Sequence, residues 1–240
     1  LGVQHQRAAH GDHLSLTAGK LPDLAIGEIG HADQTEGMID NLSIGFTRIT
    51  IPGNETVSSH HGHLPDLDGK IPVHRTPLGD IEVDEEGLES ILDLPQVRRL
   101  DAAFENEHSI EVHLPFLQET LTHFRILPLL VCEAHPHQVE EVLERVWGGE
   151  ETLIVISSDL SHYLDYEAAR SMDREATQAI EALQPEGLSY HHACGRIPVS
   201  GLLLAARHHH LKVNTLDLRN SGDTAGPRNQ VVGYGAYAFS

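Results

Sequence analysis

Lysine is nearly missing from this chain: Lys20, Lys70 and Lys212 are the only three in 240 residues. Arginine does not make up the deficit, because 16 Lys and Arg face 36 Asp and Glu and leave a formal charge of −20. Such a balance argues against nucleic acid as a partner, since a phosphate backbone is gripped by basic side chains that displace its counterions. Carboxylate excess with so little lysine resembles the surface of a salt-adapted protein, of the kind found in halophilic archaea, where ions screen self-repulsion. Cysteine is equally scarce. Cys132 and Cys194 do not make a disulfide scaffold in a chain of this size. No apolar run approaches the roughly 20 residues that cross a bilayer. The opening "LGVQHQRAAHGDH" has neither an initiator Met nor the apolar core of a signal peptide. The expectation is a cytoplasmic protein with no membrane and no nucleic-acid partner.

What is present is enough apolar sequence, 40% of residues, to build a real core. The texture changes near residue 75. Before it, periodicity is weak and His and Gly are scattered, with one strand expected in "LSIGFTRITI" (42–51). After it the signals sharpen. "TPLGDIEVD" (76–84) predicts a turn into a short strand and "EEGLESILDL" (85–94) a helix. "LPFLQETLTHF" (114–124), "HPHQVEEVLERVW" (135–147), "DYEAARSMDREATQAIEAL" (165–183) and "VSGLLLAARHH" (199–209) have helical spacing. "RILPLLV" (125–131), "TLIVIS" (152–157), "LKVNTLDL" (211–218) and "VVGYGAYAF" (231–239) read as strands. Alternating helices and doubly apolar strands predict an α/β fold, a three-layer sandwich with a mostly parallel or mixed sheet and helices on both faces.

Chemistry-bearing residues gather in a few places. "ENEHSIEVHLPF" (105–116) packs carboxylates and imidazoles against an apolar element, and is either a charged loop or a wall of a site. In "TLIVISSDLSHYLDYEAAR" (152–170) a buried strand runs straight into Asp159 and His162, three apart on the turn that leaves it. Carboxyl ends of strands in open α/β sheets are where ligands bind, and a His beside a carboxylate suits acid/base work. The competing reading makes Asp159 a helix cap and His162 a surface residue. In "HHACGRIPVSGLLLAA" (191–206) Cys194 precedes an apolar helix, a position that suits a nucleophile or metal ligand; the plainer reading is a buried structural Cys. Cys132, inside "LLVCEA", is read as structural. Histidines cluster in "SSHHGHL" (58–64), and "HHH" (208–210) reads as a solvated helix end. Ligands of these types drawn from distant segments would suit iron, copper or zinc.

Together "RTPLGDIEVD", "ENEHSIEVHLPFL", "LPLLV", "VISSDLSHY", "CGRIPV", "NSGDTAG" and "VVGYGAYAF", spread in order over residues 75–240, resemble the Memo family, named for the mediator of ErbB2-driven cell motility, with archaeal and bacterial relatives. The resemblance implies a single domain over 1–240 related to the class III extradiol dioxygenases, with a metal pocket associated with iron or copper. It implies Asp159 and His162 as the catalytic pair, with His162 matching an acid/base histidine. The resemblance likewise implies Cys194 as a metal ligand where the dioxygenases use a carboxylate. His31 and His60 would be the remaining ligands, with His61 the fallback for His60. Glu107, His108 and Glu111 would orient and tune these groups from behind, while His113 is read as structural.

Residues 1–74 depart from the family pattern. Gly30-His31-Ala32-Asp33 stands where "HAGY" is expected, and Ser59-His60-His61 where "GPNH" is expected. Real divergence and a disturbed reading frame both account for this. The resemblance implies a metal-dependent, dioxygenase-like or redox enzyme of unknown substrate. A non-catalytic protein that binds a peptide or small molecule in the same pocket is the alternative, and a Cys194 nucleophile activated by His162 or His192 ranks third. A radical-SAM protein and a third small conserved protein are the partners the resemblance implies.

Overall fold

The computed structural model describes residues 24–27, 44–50, 73–104, 108–224 and 226–240. Nine strands and five α-helices are found among them. The run Thr152–Ser157 forms β6, with every residue buried. Its side chains alternate between two cores, because successive residues of a strand point to opposite faces. Ile154 and Ile156 join Leu127, Val139, Leu143, Leu202 and Phe239 on one face, while Leu153 and Val155 join Ile110, Leu114, Leu117 and Ile126 on the other. The first core is covered by α3 (Pro136–Arg145), α4 (Tyr166–Glu181) and α5 (Arg196–His208). The second is covered by α2 (Leu114–Thr120). Helical residues therefore lie on both faces, as expected for an α/β protein.

The sheet is mixed. β5 (Arg125–Val131), β2 (Ile44–Thr50), β6, β1 (Leu24–Gly27), β9 (Val231–Phe239) and β7 (His162–Leu164) follow one another in space, and β8 (Val213–Asn220) also pairs with β9. Among the described strands β1 and β6 pair in parallel, with Gly27 opposite Ser157. The other strand pairs are antiparallel. Of the two orientations expected, the mixed one is found. β2 falls inside the strand expected at 42–51, and β1 and β2 occupy interior positions of the sheet, so the first 74 residues contribute more order than their periodicity announces.

Helix boundaries are shorter than the apolar pattern. The expected helix at 85–94 is α1 (Glu85–Glu89), capped by the Asp84 side chain. It stops at Ser90, whose hydroxyl donates to Gly87 O at 2.6 Å and so competes with the helical ladder. "TPLGDIEVD" folds as a hairpin of β3 (Val73–Thr76) and β4 (Gly79–Glu82), turned at Gly79 with φ 130°, where only glycine is at ease. Among the described residues no helix is long and apolar enough to cross a membrane.

Candidate functional site

β6 ends at Ser157, and the chain turns through Ser158, Asp159, Leu160 and Ser161 before pairing again. Three devices hold this turn. Leu160 N–H donates to Gly233 O at 2.9 Å and Gly233 N–H donates to Ser161 O at 2.8 Å, which pins it to β9. Ser161 N–H donates to the Asp173 carboxylate of α4 at 2.9 Å. The Ser158 hydroxyl donates to Asp159 O and accepts Gly195 N–H, at 2.7 and 2.9 Å, which bolts the turn to the start of α5. A side chain at Gly233 would run into Asp173, so the close approach of β9 to α4 requires glycine there.

The next residues form β7, not a loose turn. His162 pairs with Val232 and Leu164 with Val231, and Tyr163 bulges between them with φ 57°. A left-handed tyrosine is a strained conformation, and bulges of this kind re-aim neighbouring side chains. The sequence showed a turn here because three residues, "HYL", carry no strand pattern; the ladder from β9 makes them a strand.

On this frame Asp159, His162 and Cys194 converge, their ligating atoms all within 4.8 Å of one another. His162 Nε2 lies 3.5 Å from Asp159 Oδ2. Cys194 Sγ accepts the Asp159 N–H at 3.3 Å and lies 3.7 Å from the Ser158 hydroxyl. Burial pushes the Asp159 carboxyl above its ordinary value, against the pull of His162. Burial alone would lower the His162 imidazole, but hydrogen bonds to Asp159 and Cys194 and the negative charge of both raise it to about 10. The His162 imidazole is thus held between a carboxylate and a thiol that both favour its protonated form.

The competing readings of these residues meet specific facts. Asp159 does not cap the following helix; Asp165 does, accepting the N–H groups of Glu167 and Ala168. Cys194 is half-buried, next to Gly195, the N-cap of α5. His192 Nδ1 accepts the N–H of Ser189 at 3.0 Å and its Nε2 faces Glu175 at 3.7 Å, so His162 is the imidazole placed to serve Cys194. Cys132 lies just beyond β5 and is exposed, not inside the strand.

His31, His60, His61 and Glu107 lie outside the described residues. His108 is exposed and Glu111 half-buried, both on the turns that lead into α2. His113 goes beyond its reading as a plain structural residue. Its Nε2 is buried without a hydrogen-bond partner among the described residues, and burial lowers the ring from 6.5 to about 4. With Ser109, Val155 and Ser157 it borders a void of about 10 Å³ on the α2 face of β6. Sequence reasoning also missed Ser158 and Asp173. Asp173 had a legible signal: it shares the buried face of α4 with Ala169, Ala176, Thr177 and Ile180, an acid where an apolar residue is the rule. A larger cavity, about 570 Å³, lies elsewhere, against α1, β5 and α3, and none of Asp159, His162 or Cys194 lines it.

The model of the family described as Memo-like protein matches residues 56–238. A MEMO1 family protein of Aquifex aeolicus is 39% identical over 170 residues, covering 66% of this chain and 64% of its own length. One from Metallosphaera sedula is 33% identical over 178 residues, covering 69% of this chain and 63% of its own. A third, from Saccharolobus islandicus, is 34% identical over 179 residues, covering 68% and 63%. The chain therefore spans slightly under two thirds of the length of these relatives. The matched region contains β3 to β8, all five α-helices and the whole Asp159, His162 and Cys194 cluster: the chain belongs to the Memo-like protein family.

Proposed function

We propose that this chain holds iron or copper in the pocket where Asp159, His162 and Cys194 converge, with Cys194 as a metal ligand and Asp159 and His162 as the catalytic pair beside it, in a sandwich of the class III extradiol dioxygenase type, and acts as a metal-dependent oxidoreductase on an oxygen-rich or phenolic substrate. The observation that carries this reading is the convergence of a carboxylate, an imidazole and a thiol within 4.8 Å, at the carboxyl end of a fully buried strand. The donor set fits a transition metal. Asp159 Oδ1 is buried and, among the described residues, has no hydrogen-bond partner, which suits an oxygen directed at a cation. His31 and His60 would complete the ligands. In support, β1, which precedes His31 in the chain, runs parallel to β6 with Gly27 opposite Ser157.

A bound metal would supply Lewis-acid polarisation and redox capacity at the substrate oxygen. The protein's own groups do the rest. Asp159 orients the His162 ring, and His162 carries the proton that a phenolic oxygen would gain or lose. The Asp159 N–H fixes the sulfur of Cys194, and the Ser158 hydroxyl keeps the two segments in register. Glu107, His108 and Glu111 would act from behind this set.

Metal analysis of the purified chain, alone and as Cys194→Ala, tests the proposal. Near-stoichiometric iron or copper is expected in the native chain, with affinity weakened about tenfold or more in the variant. Metal content unchanged by the substitution would remove Cys194 from the site. A metal-free chain that still binds a small molecule or peptide would favour a recognition pocket without turnover.

A further inference from the structure

The "HHH" run at 208–210 is a solvated helix end, with His208 and His210 exposed, but two of its rings also reach a carboxylate of another helix. α3 and α5 lie side by side and run in the same direction. Gly201 packs against Pro136 and Val139 at the start of α3, and the last turn of α3 meets the last turn of α5. There the Glu144 carboxylate is shared by two imidazoles: Oε1 lies 3.1 Å from His208 Nδ1 and Oε2 lies 3.0 Å from His209 Nε2. The ligating atoms of the three residues all fall within 4.8 Å of one another.

We propose that Glu144, His208 and His209 form a second metal site, for a divalent cation of the zinc, nickel or copper type. Three features favour a cation here. Two helix carboxyl ends converge on the cluster, and the negative ends of their dipoles favour a cation where the ligands meet. The neighbouring guanidiniums face other partners, Arg145 bonding Ser90 O and Asp93, and Arg207 bonding Glu186. The ligands are also partly ordered beforehand. His209 is the C-cap of α5 and its ring stacks flat on Trp147, with centroids 4.0 Å apart and an interplanar angle of 0°. Two imidazoles and one carboxylate match the donor preferences of these metals, with water completing the shell. The site opens to solution, since the His208 side chain is 68% exposed. A bound ion would tie the end of α3 to the end of α5 and stabilise the folded state by mass action.

Trp147 is the chain's only tryptophan and touches a ligand, so its fluorescence reports on this site. The test uses the full chain carrying Cys194→Ala, to weaken the pocket proposed above, titrated with Ni(II) or Cu(II). Saturable quenching near one equivalent is expected, reversed by excess Zn(II). Glu144→Gln and His208→Ala should each shift the midpoint about tenfold or more to higher metal concentration, with circular dichroism confirming that both variants stay folded. A quenching midpoint unchanged by Glu144→Gln would mean that the histidine run binds metal without the carboxylate, and would overturn the site. So would the absence of saturable quenching in the folded chain. Neither result bears on Asp159, His162 and Cys194, whose own test reads metal lost with the Cys194 thiol.

Discussion

His113 shows how one buried nitrogen links the charged stretch before α2 to the stability of the fold. The fold favours its neutral ring, because Nε2 is buried with no partner among the described residues and burial lowers the pKa from 6.5 to about 4. As the pH falls below about 6.5 the unfolded chain takes up this proton first, so its binding favours unfolding. Stability is therefore fullest above about pH 6.5 and declines down to about pH 4, where the folded ring also protonates. The decline attributable to His113 is on the order of 3 kcal/mol. Urea unfolding of His113→Leu across this range should show a shallower pH dependence than the native chain. Equal slopes would assign the acid sensitivity to other groups. Asp173 is the opposite case: burial raises its carboxyl, while the Ser161 N–H, His162 and His192 lower it. It works as a brace for the turn that presents Asp159 and His162.

At the scale of elements, the candidate site depends on how closely helices and strands approach one another. α3 and α5 meet at Gly201, where a Cβ would lie 2.5 Å from Val139 Cβ and 3.1 Å from Pro136 O. Alanine is the better helix former by about 1 kcal/mol, yet overpacking costs about 1–3 kcal/mol. Gly201→Ala should thus lower the thermal midpoint, and Val139→Ala in the same chain should recover part of the loss. A midpoint raised by Gly201→Ala would show that the helices can move apart at no cost. Strands β5, β6 and β9 were legible in the sequence because long apolar runs of strand length leave few alternatives. β1 and β7 were not, since "LAIG" and "HYL" are too short to show a period, and only their neighbours' ladders make them strands.

For the whole molecule, charge is the dominant feature. A net charge of −20 opposes compaction unless ions screen it, and the Debye length shrinks from about 10 Å at 0.1 M salt to about 3 Å at 1 M. The described ion pairs are mostly at the surface, such as Arg75 with Asp80 and Arg207 with Glu186, and each contributes at most about 1 kcal/mol. The thermal midpoint should therefore rise as KCl increases from about 0.1 to 2 M, because screening of repulsion outweighs weakened surface pairs. A midpoint that falls over that range would refute the salt-adapted reading.

The sequence alone determined the α/β class, the main strands, the family resemblance over residues 75–240 and the candidacy of Asp159, His162 and Cys194. These follow from local patterns: apolar period, run length and short motifs. The tertiary structure decided what depends on segments far apart in the chain. It joined Asp159 to Cys194, 35 residues away, found the Asp173 brace, and turned a histidine run at a helix end into a cluster with Glu144, 64 residues earlier. Local sequence sets which face of an element is apolar. Only packing sets which polar groups on different elements come within bonding distance, and chemistry requires that distance.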